Sequence, residues 1–474
     1  MVFSSSKGTT FYVSCISVFT ILIFGYLFIT FKYPSIGADS GYYLKIAYDL
    51  AGGISFFKDL NCGYSPLAMY IYSLLFYFNK DIGLSMLFVY AYLIYPLIGF
   101  FFYKILAYFD LRKDRRLFFT LILITVNFTL EGFHILLEPY VLLFQLIALS
   151  ILLKHRTNKW MLLLSGMFVF FAFFSKQYGL FIFPAFIYFL YNEAKNRRNF
   201  LLCVLFLCAG FLIPLIVLGI YFVVLEQLTI QNFIYRLFGV TALKGDEHIT
   251  GIGYSLKGLL ERLWQFVLKF PFIIMVLLVL VLEKRKISFK KTRFSLLLLL
   301  GSLTQLYFAY YDHYFQLITP YVIIAVTRLY KKGGKNNKYR ILQVFTFFFI
   351  VVSFSKLYNN YERKKGMHAE QSINIPILKS VLKENEKVYL YSISPSYYFL
   401  CKYDSPNPEV LGYKFPNELT KHKIQESLKK ETYIVIDPKF VDNEFKDYQE
   451  VSKLTLKRDT KKGLIDTYIS VLKK

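Results

Sequence analysis

Asp39 stands in the stretch SIGADSGYYLKIAYDLAGG, directly after the first hydrophobic run of the chain and beside the pair Tyr42 and Tyr43. A carboxylate held where lipid meets water can activate an acceptor hydroxyl while a lipid-borne substrate lies alongside. Further titratable residues, among them Glu131, His134, Glu138, Lys176, Arg236, Asp312 and His313, fall in breaks between apolar runs rather than inside them. Glu138 and Lys176 have little other polar company. For Asp39 the competing reading is a helix cap ahead of YYLKIAYDLA, and for the tyrosines it is the ordinary enrichment of aromatic rings at bilayer interfaces.

The elements that must position these groups are membrane spans. The chain has 474 residues, of which 56% are hydrophobic and 20% aromatic, with a mean hydropathy of +0.44. No soluble surface can be built from that composition. Apolar runs recur from residue 11 to about 358, against the roughly 20 residues of a perpendicular span.

The formal charge of +25 does not signal nucleic acid, because the basic residues sit in short loops and form no single patch or tail. RKDRR (112–116), KHRTNK (154–159), EAKNRRN (193–199), EKRKISFKKTR (283–293) and KKGGKNNKYR (331–340) all satisfy the positive-inside rule if cytoplasmic. Each stretch between two of them must then cross an even number of times. Residues 117–153, 160–191 and 294–330 read as hairpins that turn outside near Glu131 to Glu138, Ser175 to Gln177, and Asp312 to His313. Residues 200–282 make a fourth, with an outer loop at about 226–263.

Residues 11–31 and 83–109 read as spans, whereas 66–78, only 13 residues and led by a proline, reads as a helix on the outer surface within a loop of residues 32–82. A last span at about 341–358 leads outward. The expectation is about eleven spans, a cytoplasmic amino terminus and a carboxyl-terminal domain outside. SIGA resembles a signal cleavage site, but the preceding apolar region is longer than a signal core and the cut would lie too far beyond it.

From residue 359 the chain turns polar. KVYLYSIS (387–394) and TYIVID (432–437) read as strands around a helix near 418–430, and GLIDTYISVL as a further strand, which predicts a small α/β domain over 359–474. The domain shows no phosphate-cradling glycine loop and no nucleophile elbow. Five cysteines show no CxxC pattern, and only Cys62 and Cys401 share the outer compartment, where a bridge between them is an option. No charge stands at mid-depth of a span, which counts against an ion-coupled transporter.

ADSGYYLKIAYDLAGG followed by FFKDL and YSPLAMYI resembles the first outer loop of the GT-C membrane glycosyltransferases that use polyprenyl-phosphate sugars, in the branch of protein O-mannosyltransferases and lipid A aminoarabinose transferases. EPYVLLFQLIALSILL, the hairpin apex SKQYG, and YYDHYFQLITPYVII are similar to later parts of the same family, in the same order. VYLYSISPSYYFLCKY looks like the start of the outer domain that many bacterial members carry. One departure is the single acid: Ser40 follows Asp39 where the mannosyltransferase branch has an adjacent acidic pair.

The resemblance implies a transmembrane catalytic domain over 1–358 and an inverting transfer of one sugar from a polyprenyl-phosphate carrier to a lipid, glycan or protein hydroxyl, at the outer face of a bacterial inner membrane. Asp39 would be the base, Glu138 would orient the acceptor, and Lys176 and His313 would offset charge on the departing phosphate. Arg236 would be a further phosphate partner, and Tyr42 and Tyr43 would stack on sugar or lipid. Asp246, Glu247 and His248 in GDEHITGIG would close over substrate or hold a metal. No metal site is assigned; a divalent cation between Asp39 and Glu138 is the cofactor option the two carboxylates leave open. Two other readings are a transporter or flippase of lipid-linked saccharides without transferase activity, and a structural membrane protein presenting its outer domain to a partner.

Overall fold

The structure, a computed structural model, describes residues 6–57, 65–224, 227–234, 237, 260, 289–305, 312–330, 335–391, 393–405, 432–438, 445, 448–460 and 463–473. These form a mostly helical body with a small sheet near the carboxyl terminus. In chain order the helices are α1 (Ser6–Lys32), α2 (Ala38–Ala51), α3 (Leu67–Phe78), α4 (Leu84–Tyr92), α5 (Ile94–Tyr108), α6 (Lys113–Asn127), α7 (Glu138–Lys154), α8 (Lys159–Ser175), α9 (Phe183–Glu193), α10 (Arg197–Val224) and α11 (Ile230–Ile234). They continue with α12 (Phe289–Leu303), α13 (Phe315–Tyr330), α14 (Lys335–Val381) and α15 (Ser396–Leu400).

Among the described residues, three segments are long and apolar enough to cross a membrane by length and composition: Val13–Lys32, Leu84–Tyr108 and Arg197–Val224. Leu67–Phe78, Lys159–Ser175, Arg293–Leu303 and Phe315–Ala325 are apolar but shorter. The hairpin turns predicted from charge parity coincide with the ends of helices: α6 gives way to α7 across residues 128–137, α8 to α9 across a 3₁₀ turn at Gln177–Ile182, and a short 3₁₀ turn at Asp312–Tyr314 opens α13. The run 83–109 is divided at Leu93, whose helical φ and ψ make the break a bend rather than a turn.

Two features depart from the pattern read in the sequence. First, α14 does not stop where the chain turns polar: it runs unbroken through residues 358 and 359 to Val381, so the compositional boundary falls inside one helix. Second, a strand appears where none was expected. The sheet has the order β1–β2–β4–β3, with β1 (Val388–Leu390) parallel to β2 (Tyr433–Ile436), and β4 (Gly463–Lys473) antiparallel to both β2 and β3 (Gln449–Thr460). The three strands read from sequence are β1, β2 and β4, while the helix expected near 418–430 and residue Cys62 lie outside the described residues. Cys401 is a free, buried thiol in this structure rather than half of a bridge.

Helices α8 and α10 meet at glycines. A β-carbon added to Gly166 would run into the backbone carbonyl of Leu207, and one added to Gly210 into that of Leu163. Small residues allow such backbone contact in lipid, where helix association relies on packing rather than on expulsion of water. Gly210→Ala is expected to cost about 1–3 kcal/mol, the price of overpacking, and Gly166→Ala with Gly210→Ala to cost less than the sum because one displacement of α10 relieves both. Thermal unfolding of the detergent-solubilised protein checks both; full additivity would show that the two contacts yield separately.

Candidate active site

The turn between α6 and α7 is built to hold its backbone open. Residues 128–132 form a wide turn in which Glu131 adopts φ 67° and ψ 11°, a left-handed conformation that a non-glycine residue enters only against a cost of about 1–2 kcal/mol. The exposed backbone groups are taken up by side chains from four other elements. Gln316 Nε2 donates to Leu130 O at 2.7 Å and to Asn127 O at 3.3 Å, Tyr95 OH to Gly132 O at 3.2 Å, and Tyr92 OH to Phe133 O at 3.2 Å. Ser40 Oγ accepts from the Ile135 amide at 3.1 Å, which ties α2 to the same turn. Buried irregular backbone survives only when its polar groups are satisfied in this way.

That geometry aims Glu131 at a chain of opposite charges. Its Oε2 lies 3.0 Å from His313 Nδ1 and its Oε1 3.2 Å from Arg363 on α14. The other ring nitrogen of His313 lies 3.7 Å from Glu138 Oε1, and Glu138, with no solvent exposure, pairs with Lys176. Lys176 Nζ also stands 4.2 Å from the ring centre of Tyr314. Three turns distant in sequence therefore meet through Lys176, Glu138, His313, Glu131 and Arg363. Among the described residues, none makes a hydrogen bond to the other carboxylate oxygen of Glu138, Oε2.

The protonation states follow from these neighbours. Burial opposes charge on Glu131, but the hydrogen bond from His313 and the charges of His313 and Arg363 outweigh it and hold the carboxyl far below its usual range. Burial likewise opposes charge on His313, and Glu138 and Glu131 overcome it, so this imidazole is held above its usual value. His134 behaves oppositely: burial, with Lys364 and Arg363 beside it, keeps it neutral.

Asp39 occupies the first turn of α2, and the amino-terminal cap is Gly37. The cap reading is thus not the arrangement found. Asp39 is exposed, and it lies near enough for its charge to favour the protonated form of His313. Tyr42 is half-buried and Tyr43 buried, their ring centres 5.9 Å apart. Of the residues singled out from sequence, the structure brings Glu138, Lys176 and His313 into direct contact, with Asp39 in electrostatic reach. Arg236, Asp246, Glu247 and His248 lie outside the described residues.

Sequence reasoning passed over Glu131 and Arg363 as members of the site. The only signal for Arg363 was its place in the run ERKK after the last apolar segment, and nothing local distinguishes Glu131 from an ordinary loop acid. Among the described residues no group of three or more His, Cys, Asp and Glu side chains is placed to hold a metal ion.

No protein-family model matches the chain, and a search of curated proteins finds no match. Solved structures do match. The chain aligns with ArnT from Cupriavidus metallidurans bound to undecaprenyl phosphate at a TM-score of 0.59 and 11% identity, covering 99% of this chain and 98% of that one. The apo state of the same protein aligns at a TM-score of 0.43 and 9% identity, covering 98% of each chain. The first match establishes a shared fold over nearly the full length, sheet included.

The pair Glu131 and His313 gives the site a signed pH response. With its folded value raised above 6.5, His313 contributes stability that is complete below 6.5 and lost as pH rises through the raised value. Glu131, depressed below 4.5, contributes stability that is complete above 4.5 and lost as pH falls towards its folded value. The excess thermal midpoint of wild type over His313→Gln is therefore expected to be widest between pH 4.5 and 6.5. An excess that grows towards alkaline pH would overturn the ion-pair assignment.

Proposed function

We propose that this protein is a membrane glycosyltransferase that moves one sugar from a polyprenyl-phosphate carrier to an acceptor hydroxyl. One observation carries the reading: an exposed carboxylate, Asp39, stands in electrostatic reach of a buried, charge-paired cluster at the meeting of three turns. The fold adds support, because the solved structure that shares it carries undecaprenyl phosphate.

In the proposed step Asp39 takes the proton of the acceptor hydroxyl, whose oxygen bonds to the anomeric carbon from the face opposite the phosphate. The bond from that carbon to the phosphate oxygen breaks, and the electron pair leaves with polyprenyl phosphate. A phosphate is a good leaving group, so the chemistry asks for a base and for positive charge rather than for a strong acid. Lys176 and protonated His313 supply the charge, with Glu138 holding both in place. Attack from the opposite face inverts the anomeric centre.

The orientation belongs to the same proposal: turns 128–137, 175–177 and 312–314 outside, basic loops inside, about eleven spans, and residues 359–474 as an outer domain whose first part continues the last spanning helix. The membrane would be the inner membrane of a bacterium, and the acceptor a lipid, glycan or protein.

The test is reconstitution with a polyprenyl-phosphate sugar and candidate acceptors, comparing wild type with Asp39→Asn. The variant is expected to lose about 10²- to 10⁴-fold in kcat, the usual weight of a positioned base, while its thermal midpoint stays near that of wild type because Asp39 is exposed. Undiminished transfer by Asp39→Asn removes Asp39 from the mechanism.

A further inference from the structure

The segment that delivers Asp39, residues 33–37 between α1 and α2, is buried at Ser35 and Ile36 and forms no regular structure of its own. Its backbone must find partners, and it finds them on one helix. His368 Nδ1 donates to Pro34 O at 3.2 Å, Lys364 Nζ to Ser35 O at 2.6 Å, and Gln371 Nε2 to Ile36 O at 2.7 Å. Gln371 Oε1 also accepts from the Ile36 amide at 3.3 Å, so that one side-chain amide pairs with a residue's N–H and C=O together, as a neighbouring strand would. Lys364, His368 and Gln371 are spaced four and three apart, which places them on one face of α14.

A neighbouring flank of the same helix binds the outer sheet. Asn374 Nδ2 donates to Lys457 O at 2.8 Å and its Oδ1 accepts from the Lys457 amide at 2.8 Å, while Glu370 Oε2 accepts from the Asp459 amide at 2.7 Å. The two sets of bonds are alike in chemistry and differ in what they hold: one the sheet, the other the approach to Asp39.

We infer that Gln371, assisted by Lys364 and His368, is a positioning residue that sets the register of the first turn of α2 and so the place of the Asp39 carboxylate. Gln371 touches no reacting atom; it acts through Ile36, three residues before Asp39. The Ser40 bond to Ile135 holds the turn from the other side, so loss of the clamp lets α2 pivot without releasing it. The inference rests on the reading of Asp39 as base, and its test separates the two.

Gln371→Leu and Asn374→Leu each remove a buried amide from α14, so both are expected to lower the thermal midpoint. At a temperature where both stay folded, Gln371→Leu is expected to lose about 10- to 100-fold in kcat, the scale of a misplaced catalytic group, with donor KM within about 2-fold of wild type. Asn374→Leu is expected to retain kcat. Hydrogen exchange on the same full-length proteins reads the clamp without turnover: amides 36–41 are expected to exchange faster in Gln371→Leu and unchanged in Asn374→Leu. Equal kcat losses in both variants, or unchanged exchange at 36–41 in Gln371→Leu, overturn the positioning role. A wild type that transfers no sugar, with exchange at 36–41 still raised in Gln371→Leu, sinks the base assignment and leaves the clamp standing.

Discussion

A carboxylate with no exposure to water, Glu138, sits at the start of a helix whose other residues are almost all apolar, and it can remain charged there only if cations come to it. Stripping an ion of water costs several kcal/mol even after relaxation, and only close pairing offsets that. Lys176 and His313 are therefore not free to be anywhere else. Since the first begins the turn between α8 and α9 and the second opens α13, the demand of one buried acid draws three helix ends to a point. Glu131 and Arg363 extend the same demand to α14, which leads to the sheet.

The carboxyl-terminal sheet is joined to this cluster from two sides. Through α14 it is bonded to the helix that also carries Arg363 and the clamp on residues 34–36. Through α15 and the loop after it, it reaches α2 directly: Gly41 leaves room for the backbone of Ser396, where any β-carbon would collide, and Lys45 pairs with both Asp49 and Asp404. Lys402 adds a bridge to Asp81 after α3. The sheet is thus bonded on both flanks to the helices that carry the site, through contacts separate from the clamp on residues 34–36, and it carries none of the site's charges.

Charge and spacing made part of this legible before any coordinates. Counting spans between basic loops singled out Glu138, Lys176 and His313 as residues expected on one side, but their direct ion pairing was not read from the sequence. Glu131 was not legible, because its role depends on a left-handed backbone that only the finished turn imposes. Arg363 is 232 residues from Glu131 and was hidden in a polar stretch that reads as the beginning of a new domain. That stretch stays helical because Lys364, His368, Gln371 and Asn374 are held by other backbones, a tertiary gain with no local pattern. In β3 the apolar positions are only Val451, Leu454 and Leu456 among Lys453, Lys457 and Arg458, so alternation is masked by solvent-facing lysines.

The balance of charge distinguishes a histidine at the centre from a second lysine. Lys176 and Arg363 neutralise Glu138 and Glu131, so on the proposed mechanism the cluster without His313 has no net charge to offer a phosphate. A permanent cation in its place would add positive charge at every pH and would hold the Asp39 carboxylate in a fixed field. An imidazole between two carboxylates carries a proton that those carboxylates stabilise, and Asp39 stabilises it as well. On the proposed mechanism, transfer converts the Asp39 carboxylate to its acid just as negative charge appears on the leaving phosphate. On that mechanism His313, held by Glu131 and Glu138 throughout, has the Asp39 carboxylate in reach before the step and the leaving phosphate after it, so its positive charge is useful at both ends. The two glutamates are what keep a buried imidazolium matched while the nearby anion changes.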